Sequence, residues 1–98
     1  MNNIPKDKII KVIEIFFPDA KIYLFGSRAR NTHTERSNIN IAIDAERNLT
    51  LTEIGQINSM IDALNMAQHT IVVDFNRVKP EIKDNILKDN ILWKNSSF

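Results

Sequence analysis

Apolar and polar residues alternate along this chain with two different periods, and the changes of period mark its elements. Ile9, Val12, Ile13 and Phe16 recur at helical spacing, which predicts an amphipathic helix over residues 5–17. Pro5 suits the first turn of that helix, and Pro18 with Asp19 ends it. Residues 21–25 are short and β-prone and run into Gly26, as a strand entering a tight turn does. A polar stretch over 27–36 follows, a short helix or a loop. Ile39, Ile41 and Ile43 then alternate with Asn38, Asn40 and Ala42, the period of a half-buried strand.

Helical spacing returns after Thr50. Thr50 followed by Glu53 is a capping-box pattern, and Ile54, Ile57, Ile61 and Leu64 continue it as a second helix. Thr70 to Phe75 is rich in β-branched residues and predicts a third strand. Pro80 opens a third helix carrying Ile82, Ile86 and Leu87, and Ile91 to Trp93 predicts a last short strand. The order is α, β, short helix or loop, β, α, β, α, β. It implies an α/β (α+β-like) fold, a single mixed sheet with helices packed against it, and one domain over residues 1–98.

Composition narrows the function classes. A formal net charge of +1, with Lys and Arg scattered, gives little support to a nucleic-acid-binding module, which would need a basic face. Cysteine is absent, which excludes disulfides and thiolate metal sites. No apolar run is long enough to span a bilayer, and the polar N-terminus lacks the stretch of a signal peptide, so a cytoplasmic protein is expected. His33 and His69 lack metal-ligand spacing and read as exposed loop residues. Met60 and Met66 are expected to fill gaps in the core, Trp93 to pack at the core or sheet edge, and Tyr23 to alternate with buried neighbours.

The chemistry lies between Leu24 and Ile43. Gly26 permits a turn that a β-carbon would obstruct, and backbone N–H groups following such a turn offer a phosphate site. The Ser27 hydroxyl adds a donor, and Arg28 or Arg30 is placed to pair with phosphate oxygens. Asn38 and Asn40 are two apart on the alternating strand, so both side chains leave one face. Paired carboxylates at such positions would hold magnesium for in-line attack on a phosphate; here the groups are amides.

Gly26-Ser27-Arg28-Ala29-Arg30, followed by Ser37-Asn38-Ile39-Asn40-Ile41, resembles the G-S-x-A-x-G … S-D-[IL]-D signature of DNA polymerase β superfamily nucleotidyltransferases. It is most similar to the minimal nucleotidyltransferases that act as antitoxins beside helical HEPN-domain toxins. The likeness runs from Lys21 onward. It implies a nucleotidyltransferase fold with Gly26, Ser27, Arg28 and Arg30 at the nucleotide phosphates. It also implies Asn38 and Asn40 at the catalytic, metal-binding positions, ATP and Mg2+ as nucleotide and cofactor, and a HEPN-type toxin as partner. In antitoxin members of the family, AMP passes from ATP to a tyrosine of the toxin.

The chain departs from that pattern where the metal belongs. Asn38 and Asn40 replace both aspartates, and magnesium relies on carboxylates in such sites. Aligning Val73-Asp74-Phe75 on the family's third strand puts Ile71 where the remaining carboxylate belongs and turns Asp74 to the opposite face. Asp44 shares the parity of Asn40 but stands about 13 Å along the strand, too far to share an ion with it. Asn31 replaces the second glycine, a position that asparagine's tolerance of left-handed backbone can satisfy. Two functions remain open. One is an antitoxin-like partner that binds a HEPN toxin with catalysis lost or crippled, which these departures favour. The other is an active Mg-dependent transferase of AMP. Deliberate substitution of the aspartates would not account for Ile71. Partner binding is expected to use an exposed apolar patch on a helix.

Overall fold

The computed structural model of the chain describes residues 4–96. Chain order is α1 (Lys6–Phe16), β1 (Lys21–Phe25), α2 (Ser27–Arg30), β2 (Ile39–Asp44), α3 (Leu51–Asp62), β3 (Thr70–Asp74), α4 (Pro80–Asp89) and β4 (Ile91–Lys94). The periodicities therefore locate every element, with ends shifted by a residue or so, as helix fraying and strand ends commonly allow. The polar stretch contains the single-turn α2.

The four strands form one mixed sheet in the order β3-β2-β1-β4. β1 is antiparallel to both β2 and β4, whereas β2 and β3 are parallel. Parallel neighbours need a long crossover, which α3 provides. The crossover begins with the capping box seen in the sequence. Thr50 Oγ1 accepts from the Glu53 N–H at 3.0 Å, and the Glu53 carboxylate accepts from the Thr50 N–H at 2.8 Å. Arg47 adds a bidentate ion pair to Glu53, with Nη2 to Oε2 at 2.8 Å.

Strand alternation decides which helices cover which face. Ile22 and Leu24 of β1, Ile39, Ile41 and Ile43 of β2 and Val72 of β3 share the main core with Ile9, Val12 and Ile13 of α1 and Ile57 and Ile61 of α3. The opposite face carries a smaller cluster in which Ile86 of α4 packs with Ala42, Phe75, Tyr23, Phe25 and Val73. The middle of β2 is thus covered on both sides, so Ala42 is fully buried although it alternates with the isoleucines. Its small side chain leaves room for α4. Trp93 and Met66 pack against the main core, but Met60 is 37% exposed, which corrects its expected burial. Met60 precedes buried Ile61 by one residue, a rotation of about 100° that carries it off the packed stripe. Among the described residues, no helix is long and apolar enough to cross a membrane.

Candidate active site at the Gly26 turn

Four element ends meet at one end of the sheet. Phe25 ends β1 opposite Asn40 of β2, Ile39 pairs with Thr70 at the start of β3, and Ile91 begins β4 opposite Leu24. α4 covers the Ala42 level of this face, and Asn40, one step along on the same face, is half-buried at the sheet end.

Gly26 turns the chain here with φ 82° and ψ −155°, a region of backbone space that essentially only glycine occupies. A β-carbon on Gly26 would stand 2.7 Å from the Asn40 amide nitrogen, so glycine is required by both backbone and neighbour. The turn feeds α2, whose first N–H groups have no partner within the helix. Asn31 closes α2 in the left-handed conformation, φ 61° and ψ 34°, so the asparagine at this glycine position does what the sequence predicts.

The arginines divide. Arg28 is only 3% exposed, and its Nε and Nη2 donate to the Ser37 carbonyl at 3.2 and 3.1 Å, with Nη2 also 3.4 Å from the Thr34 carbonyl. A side chain so buried and so engaged braces the loop over 31–38 rather than standing ready for a phosphate, which corrects the pairing expected of it. Arg30 is largely exposed and makes a loose 3.9 Å pair with Asp89 at the end of α4. Such pairs contribute little to stability and leave the guanidinium able to move. Arg36 is exposed on the loop.

The loop itself is a polar turn. The Thr34 N–H donates to Ser37 Oγ at 2.9 Å and the Arg36 N–H to Thr34 Oγ1 at 3.3 Å. The Thr-x-x-Ser spacing was a legible signal for this turn; Arg28 as its brace was not. His33 lies half-buried on the same loop with a buried, unpartnered Nδ1, so it is not the exposed histidine expected; His69 is exposed.

Register settles the neighbours of Asn40. Parallel pairing sets Ile71 beside it and antiparallel pairing sets Phe25 on its other side, all three on one face. Asn38 directly precedes β2 and is exposed. Asp74 pairs with Ile43 and faces the main core, where it accepts from the Leu49 N–H at 2.7 Å and the Asn76 N–H at 2.9 Å. Asp44 caps the far end of β2, accepting from the Glu46 N–H and from Asn76 Nδ2, each at 2.9 Å. Two amides flanked by hydrocarbon do not fit a magnesium ion, which takes carboxylate oxygens. Among the described residues, no group of three or more His, Cys, Asp or Glu is placed to hold a metal.

A family model described as Polymerase beta, Nucleotidyltransferase matches residues 7–97. The chain belongs to the polymerase beta nucleotidyltransferase family. Within the solved nucleotidyltransferase-type structures, it superimposes on a chain of a toxin–antitoxin complex with AMP-PNP at a TM-score of 0.81 and 23% identity, covering 96% of this chain and 76% of that one. It also matches a chain of a Shewanella oneidensis complex between a tri-AMPylated HEPN toxin and its MNT antitoxin, at a TM-score of 0.73 and 22% identity, over 93% of this chain and 70% of that one. At these identities the likeness shows the nucleotidyltransferase fold. No curated protein sequence matches the chain significantly.

Proposed function

We propose that this nucleotidyltransferase-fold protein is the antitoxin-like partner of a HEPN-domain toxin and neutralises it by binding, with nucleotidyl transfer lost or crippled. The chain would act as one domain over 1–98, in the cytoplasm. The observation that carries this reading is the composition of the face around Asn40, with Ile71 and Phe25 at its register positions and Asp74 turned away into the core. Losing the charges that bind metal removes about two orders of magnitude in rate even if only about 3 kcal/mol of transition-state stabilisation goes, at about 1.4 kcal/mol per tenfold. The likeness to antitoxin complexes supports the partner class. Exposed apolar side chains for docking occur on α1 (Ile15), α3 (Leu51) and around the α4–β4 junction (Leu87, Ile91, Leu92).

The test is incubation of the protein with labelled ATP, magnesium and a candidate HEPN-type toxin, scored together with toxin binding. Complex formation without label on the toxin is expected. Robust labelling would sink this reading in favour of the second one, an active transfer of AMP from ATP to a toxin tyrosine. The intact Gly26 turn, with Ser27 and exposed Arg30 beside it, supports that second reading as far as nucleotide binding.

A further inference from the structure

We infer that the Gly26–Ser27 turn takes a nucleotide polyphosphate as the free anion, so that binding does not require a divalent cation. This rests on the reading of that turn as the nucleotide seat. Where a metal-dependent site presents carboxylates, this one presents amides, and the two differ in more than charge. An ionised carboxylate offers only acceptors, whereas an amide also offers two N–H donors. The Asn40 atom lying against the Gly26 turn is the amide nitrogen, 2.7 Å from the position a β-carbon would take. Asn40 therefore brings a neutral group that carries donors, and no charge, up against the turn.

The surroundings agree. Phe25 and Ile71 flank Asn40 and carry no charge. The carboxylates of β2 and β3 are engaged away from this site, Asp44 with Glu46 and Asn76, Asp74 with Leu49 and Asn76. Asp89 does approach this end of the sheet, but it stands 3.9 Å from the Arg30 guanidinium, which offsets it. With two aspartates in place, a polyphosphate would be repelled unless a cation screened it. With two asparagines that repulsion is gone, and with it the reason for the cation to accompany the ligand. Magnesium then competes instead of assisting, because it draws the same phosphate oxygens into its own coordination shell.

The probe is ATP, titrated calorimetrically into the whole protein once in EDTA and once in excess magnesium. Affinity in EDTA is expected to equal or exceed that in magnesium. The Asn38→Asp/Asn40→Asp variant is expected to bind ATP at least about tenfold more weakly in EDTA than the unaltered protein does, because carboxylates then repel the like charges of the polyphosphate. Binding of the unaltered protein only when magnesium is present overturns the inference but leaves the turn standing as the seat. ATP binding in neither condition removes the seat and the inference together, while the toxin-binding assay still judges the antitoxin role independently. Gly26→Ala locates the ligand: its affinity should collapse, and undiminished binding would place ATP elsewhere and overturn the inference. Should the double variant fail to fold, the comparison of the unaltered protein with and without magnesium decides by itself.

Discussion

Arg28 reaches across nine residues of chain to Ser37, and its Nε and Nη2 both donate to that one carbonyl oxygen. The bonds close the polar loop that delivers Asn38 to the start of β2. Removing the side chain leaves the part-buried Ser37 carbonyl without these charged donors, so Arg28→Ala should destabilise the fold by about 2 kcal/mol in urea titrations. Arg28→Lys should recover little of this, since a single ammonium cannot reproduce the planar fork. Hydrogen exchange should speed up over 31–38 before it changes in the sheet. An unaltered exchange pattern would remove the brace from the account.

Gly26→Ala carries two penalties. Its backbone angles suit glycine, at a cost of roughly 1–3 kcal/mol for any other residue. Its new methyl would also push the Asn40 amide aside. A lowered denaturation midpoint is expected, and Asn40→Ala in the same background should relieve part of it, because only the second penalty depends on that side chain.

Acid should loosen the start of α3. Bonding to Arg47, and then to the Thr50 backbone, holds the Glu53 carboxyl down to about 2. A depressed carboxyl stabilises the fold above its unfolded value near 4.5, and that contribution fades as pH falls toward 2. Glu53→Gln keeps an acceptor for the Thr50 N–H and loses the charge. The two proteins should therefore differ in stability at neutral pH and converge between about pH 4.5 and 2 in a series of melts. A constant difference across that range would contradict the assignment.

Restoring the aspartates alone should not restore a metal site, because Ile71 holds the register position beside Asn40. The triple change Asn38→Asp, Asn40→Asp and Ile71→Asp should gain a melting-temperature rise of about 5 °C or more in magnesium at ten times its Kd. The unaltered protein should show no such rise. Equal responses of the double and triple variants would mean that position 71 does not face the ion.

Most of this architecture was legible because hydrophobic period and local punctuation agree. The isoleucines of β2, the Thr50–Glu53 box and Pro80 each state their element without help from distant residues. The strand parity of Asp74 was readable for the same reason, and its place in the main core follows from it. Arg28 was not legible, since its partners are backbone carbonyls and any sequence supplies those. Nor was the fully buried Ala42, because alternation describes one covered face and cannot announce that α4 returns to cover the other. Met60 and His33 failed for a related reason: residue type suggests burial or exposure, and a rotation of one helical step or the path of one loop reverses it.

β4 is the last strand in chain order, yet it is what makes β1 an interior strand. Until β4 has been synthesised, one side of β1 is an open row of amides and carbonyls, able to pair with any extended segment nearby. Lys94 fastens the late arrival, its Nζ bonding the Pro18 carbonyl and lying 3.7 Å from Glu14. A product truncated before β4 would therefore turn the five-residue β1 into a sheet edge in place of the four-residue β4.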